Sequence, residues 1–144
     1  GMARLLSGTV SIRGTDDESW PFDDEIVSVS RPVNGVVLDF NAPAVTIDVP
    51  DVRWGGECRV EIRITARVVD GNEIRIEGLT KLCEGASEDT QDLEEEKSVT
   101  FLGPRNTRNN PNPAHHSVQL NSRGIGGGDH AEIDFAFTNV IVED

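Results

Sequence analysis

The stretch ECRVEIRITARVVDGNEIRIEGLTKL, residues 57–82, alternates apolar and polar side chains over most of its length. Successive side chains of an extended chain point to opposite faces, whereas a helix repeats near every 3.6 residues. Cys58, Val60, Ile62, Ile64, Ala66 and Val68 share one parity, and Glu57, Arg59, Glu61, Arg63, Thr65 and Arg67 share the other. This predicts a long strand with an apolar core face and a charged solvent face. Asp70-Gly71-Asn72 breaks the pattern with turn residues, and Ile74, Ile76 and Leu82 then share a face of the returning strand. The faces must match across the hairpin, which fixes the register. A two-residue loop sets Arg67 against Ile74 and mixes them. A three-residue loop sets Val68 against Ile74, Ala66 against Ile76 and Glu61 against Lys81, an opposite-charge pair. A central hairpin over 57–83 with an odd loop and a left-handed residue near the loop's end is therefore expected. Arg59, Arg63, Arg67, Arg75 and Lys81 are expected on its outer face, paired with Glu57, Glu61 and Glu77 or open to an acidic partner.

Shorter period-two segments flank this hairpin. They are 5–14, 25–30, 36–40, 44–49, 98–102, 117–120 and 130–142, with RPVNG (31–35) read as a turn between the second and third. The count is eight or nine strands in one domain over 1–144, an all-β antiparallel sandwich. Gly1 before Met2 reads as a tag scar. No apolar run is long enough to span a bilayer, which fits a soluble protein, whether cytoplasmic or exported.

The net charge is −13, and its distribution says more than its size. Six acids fall within 16–25 and seven within 84–96, which leaves the rest of the chain formally neutral. Nucleic acid, which requires a basic face, is a poor partner for such a chain. Bare charge runs are most often solvated loops that discourage edge-to-edge pairing. The functional alternative is calcium, which takes six to eight oxygen ligands. Asp16, Asp17, Asp23 and Asp24 are the better set, because short carboxylates on a loop can converge and Trp20 and Phe22 can anchor that loop. Consecutive Glu94, Glu95 and Glu96 diverge in either a helix or a strand. The segment after Ser87 is expected to be an ordered surface segment, a helical turn capped by Ser87, and not a metal cage.

Other chemistry is thinner. Residues 103–130 are rich in Asn, Gly and Pro, longer than an ordinary connection, and carry His115, His116, Asp129 and His130. The spacing of these four fits no metal or hydrolase motif, so they are read as ordinary loop residues. The glycine run at 124–128 has no following helix and no Lys to cradle phosphate, and is read as a turn. Cys58 and Cys83 lie on opposite parities in the expected register and are read as free thiols.

In length, in sandwich architecture and in acidic loops the chain resembles C2-type domains, and it is also jelly-roll-like. That resemblance implies calcium binding through an acidic loop. The functional expectation is a non-catalytic binding or interaction module, calcium-dependent through Asp16, Asp17, Asp23 and Asp24. The alternatives are a hydrolase-like enzyme using 103–130 and a structural subunit of a homo-oligomer.

Overall fold

A computed structural model describes residues 3–18, 21–122 and 128–142. It contains nine strands: β1 (Arg4–Asp16), β2 (Glu25–Leu38), β3 (Val45–Ile47), β4 (Val52–Trp54), β5 (Cys58–Val69), β6 (Glu73–Glu84), β7 (Leu93–Gly103), β8 (Ala114–Asn121) and β9 (His130–Ile141). They form two antiparallel sheets, one ordered β2-β1-β9-β8 and the other β3-β5-β6-β7, with β4 in line with β3 along β5. The sandwich is thus all-β, as the alternation predicts. Among the described residues no helix is long and apolar enough to cross a membrane.

The β5–β6 hairpin has the expected register. Val68 opposes Ile74, Ala66 opposes Ile76 and Glu61 opposes Lys81. The loop is Asp70–Asn72, with Gly71 and Asn72 both at positive φ. Its inner residues, from Cys58 to Val68 and from Ile74 to Leu82, join Leu6, Val10, Ile12, Ile133, Phe135 and Phe137 of the facing sheet in one core.

Strand order departs from a jelly roll, whose sheets are built from Greek keys. Here the strands follow one another in chain order around the two sheets, with β3 and β4 running the same way along β5, and β1 pairs with β9. Side chains bridge the seams between sheets: Lys97 Nζ donates to Gln119 O at 2.6 Å, and Arg31 Nη2 to Asp51 O at 3.0 Å. The expected turn at 31–35 does not form. Residues 25–38 run as one strand, and the Asn-Gly pair is absorbed as a bulge, since Leu6 opposes Val36 while Gly8 opposes Val33. Gly35 at φ 51 accommodates it. Pro32 is tolerated because β2 is the end strand of its sheet.

The second acidic stretch is also divided differently. β7 begins at Leu93, so Glu94, Glu95 and Glu96 belong to a strand. Residues 85–92 form a turned connection with no helical turn; Ser87 Oγ accepts from Asp89 N at 3.3 Å and Ser87 O from Thr90 N at 3.2 Å. Arg59 holds this connection. It was expected in the exposed basic row but is only 3% exposed. Its guanidinium donates to Glu88 O, to Thr90 O at 2.8 Å and to Glu61 Oε2 at 3.1 Å. The rest of the row faces outward, with Arg63–Glu61, Arg75–Glu77 and Lys81–Glu96 pairs at 3.6, 3.7 and 3.8 Å. Such exposed pairs contribute about 0.2–1 kcal/mol each.

Much of 103–130 is likewise structured, as β8 and a connection pinned from below by Asn139. That buried side chain donates to Asn72 O and Gly103 O, both at 2.9 Å, and accepts from Arg4 Nε at 2.8 Å. Its backbone N–H meets Asn106 Oδ1 at 3.0 Å, tying the connection to β9.

Cys58 opposes Glu84 and Cys83 opposes Arg59, so the two thiols lie on opposite sides of the sheet, buried and unbridged. Denatured, unreduced protein should therefore titrate two thiols per chain. Finding none would mean a bridge and a slipped hairpin.

Candidate metal centre

Four strand ends meet at one end of the sandwich. Asp16 closes β1 with the parity of Val10, Ile12 and Gly14, so it points inward. Cys58 opens β5, Glu84 closes β6 directly opposite it, and Asp129 immediately precedes β9. Glu57 ends the turn Gly55-Gly56-Glu57 between β4 and β5, closed by Glu57 N donating to Trp54 O at 3.4 Å. Gly55 and Gly56 have φ 65 and 72, and a Cβ on Gly55 would stand 2.3 Å from Asp16 Oδ2. Glycine is required there both for the left-handed backbone and for the close approach. The Trp54 ring lies against Gly14 beneath the cluster.

One ligand atom from each of Asp16, Glu57, Cys58 and Asp129 lies within 4.8 Å of all the others. Asp16, Cys58 and Asp129 are buried and Glu57 is half-buried. Asp129 Oδ1 accepts from Asp17 N at 2.7 Å, and its Oδ2 lies 3.8 Å from Cys58 Sγ. Asp16 is different: it is 1% exposed, and both of its carboxylate oxygens are buried without a hydrogen-bond donor. Among the described residues no Lys or Arg pairs with Asp16, Glu57, Glu84 or Asp129.

The electrostatics follow. Burial, reinforced by Glu57 and Asp129, pushes the Asp16 carboxyl up to about 8. Burial and the Asp129 carboxylate push Glu84 up to about 8 as well. Burial and then the negative field of Asp129 and Asp16 raise the Cys58 thiol. An isolated buried anion is costly, and it is relieved by a proton or by a cation. Chemically, the cluster offers several carboxylate oxygens and one sulfur to a positive charge.

The four aspartates singled out by sequence are split. Asp16 enters the cluster. Asp17 stands at its rim: its backbone binds Asp129, and its carboxyl is raised by a hydrogen bond with Asp24. Asp24 accepts from Glu18 N at 3.1 Å. Asp23 is exposed and takes no part. Phe22 is 71% exposed, so it does not anchor this loop to the core, and Trp20 lies outside the described residues. Both acidic stretches reach the same end of the fold, yet the second contributes only Glu84. Glu95 and Glu96 pair with Lys97 and Lys81, and Glu88 Oε2 accepts from Gly56 N at 2.9 Å.

The histidines are not gathered. His115 and His116 lie near the start of β8 and His130 at the start of β9, at opposite ends of that strand pair. His116 stacks on Phe101 with centroids 5.0 Å apart, a packing role. His130 Nδ1 meets Gly128 O at 2.8 Å. Residues 124–127 of the glycine run lie outside the described residues. Glu57, Cys58, Glu84 and Asp129 were not singled out as ligands, because they are scattered over 73 positions of sequence. Asp16 carried the one legible signal, a carboxylate with core parity. Comparison with known proteins finds no matching family model, curated relative or solved structure, so the functional reading rests on this geometry alone.

Proposed function

We propose that the protein is a non-catalytic binding module whose strand-end cluster holds a divalent cation through Asp16, Glu57 and Asp129, with Glu84 beside Asp129 at its edge. The observation that carries this reading is the Asp16 carboxylate, buried with no donor to either oxygen. A buried charge persists when it is paired or coordinates a metal. A cation bridging β1, the β4–β5 turn and the chain entering β9 ties both sheets together at this end. It also sets the position of the rim, where Asp17, Asp24 and Glu18 lie and where a partner would meet the module. A catalytic reading has less support, because among the described residues no histidine joins these carboxylates.

A cation that binds only the folded state raises stability by about 2.7 kcal/mol at a hundred times its dissociation constant. Melts in chelator and in excess Ca²⁺, Mg²⁺, Mn²⁺ or Zn²⁺ should therefore differ by several degrees for at least one ion. Asp16→Asn should abolish the difference. No shift with any of these ions would overturn the proposal.

A further inference from the structure

The geometry points to Cys58 as a ligand, and hence to a thiophilic, borderline cation of the zinc class as the ion this centre selects. This rests on the reading of the cluster as a cation site and names which cation it takes. Three observations carry it. Cys58 Sγ belongs to the same set of mutually close donors as Asp16, Glu57 and Asp129. The sulfur already lies 3.8 Å from Asp129 Oδ2. A tetrahedral zinc with Zn–S about 2.3 Å and Zn–O about 2.0–2.2 Å places sulfur and oxygen roughly 3.5 Å apart, so this pair needs little movement. Asp16, with two buried oxygens that accept no hydrogen bond, supplies a carboxyl whose charge is relieved by a proton or by a cation.

Calcium fits this donor set less well. It takes six to eight oxygens, and thiols are poor ligands for it. Here the β5 side of the cluster is sulfur, while the Gly55 backbone abuts Asp16 and the Trp54 ring lies beneath. Four donors in a mostly buried niche match a four-coordinate ion better. Cys83 cannot substitute, because it sits across the sheet opposite Arg59. Binding breaks the S–H bond: the proton leaves to solvent and the sulfur electron pair goes to the metal.

The test uses the full chain, titrated with Zn²⁺, Cd²⁺ and Ca²⁺ by calorimetry, with Cd²⁺ also followed by ultraviolet absorption. The expected result is tighter binding of Zn²⁺ and Cd²⁺ than of Ca²⁺, with a thiolate-to-cadmium charge-transfer band. Cys58→Ser should remove the band and weaken Zn²⁺ binding at least about tenfold, while Cys83→Ser should retain both. If Cys58→Ser does not fold, the Cys83→Ser protein decides alone, since Cys58 is then its only thiol. A band there supports the assignment and its absence overturns it. Tighter binding of Ca²⁺ than of Zn²⁺, or an unchanged band in Cys58→Ser, also overturns it while leaving the cation module standing. No binding of any cation removes both.

Discussion

The metal-free protein should be markedly more stable near pH 5 than near pH 8.5, the reverse of a domain held by carboxylate salt bridges. The Asp16 carboxyl titrates near 3.8 when free and at about 8 in the fold, raised first by burial and then by Glu57 and Asp129. Between those values the folded chain holds a proton that the unfolded chain has released. Stability depends on pH through the protons bound unfolded minus those bound folded, so it falls across this window. The contribution is fully present below about 4 and is lost as pH rises through about 8. Every tenfold gain in proton affinity on folding corresponds to about 1.4 kcal/mol. Because Asp16 and Glu84 are both raised beside the same Asp129 carboxylate, their contributions do not add, and a total loss of about 3–5 kcal/mol between pH 5 and 8.5 is expected. Urea titrations in chelator measure it. The acidic surface also repels itself as pH rises, so the decisive comparison is Asp16→Asn, which carries no charge to desolvate. It should flatten most of the slope and be the more stable protein at pH 8.5. A saturating cation should flatten it too, by taking the proton's place. Equal slopes for both proteins in chelator would remove Asp16 as the source.

Legibility differs sharply between the hairpin and the site, for one physical reason. Alternation along β5 and β6 is a local property, and matching two faces across a three-residue loop fixes the register without distant information. Val68 against Ile74 and Glu61 against Lys81 follow from it. The bulge at Asn34-Gly35 shows where local signals mislead. Asn-Gly favours a turn, but pairing of 25–38 along the whole of β1 outweighs it. The metal centre is a fully non-local object, built where four strand ends converge. Sequence clustering of acids proved a poor guide, since Asp23 lies on the surface and Glu94, Glu95 and Glu96 lie along a strand, whereas isolated Asp129 is central. Parity was the better guide. Asp16 continues the inward register of Ile12 and Gly14, and an inward carboxylate at a strand end marks a position needing a partner.

Arg59 shows where parity fails, and it yields the second large effect. By parity it belongs with Arg63 and Arg67 on the outer face, yet residues 85–92 fold over it and bury it. Replacing it with Met retains much of the volume but removes every donor. Glu88 O and Thr90 O then lose their Arg59 partner, and Glu61 keeps its exposed contact with Arg63. Removing one partner of a buried charged network costs about 3–5 kcal/mol, and Arg53, which also donates to Glu88 O at 3.1 Å, retains part of the connection. Arg59→Met should therefore lose about 2–4 kcal/mol. Arg67→Met, two repeats of the pleat beyond Arg63 and exposed, should stay within about 0.5 kcal/mol. Amide hydrogen exchange should locate the damage, with protection lost over 85–92 and retained in β5 and β6. Gly85 N donates to Glu57 O at 3.1 Å, so the loosened connection should also weaken cation binding modestly, through the position of Glu57. Equal losses in the two variants, or unchanged protection over 85–92, would show that the acidic connection is held by something other than Arg59.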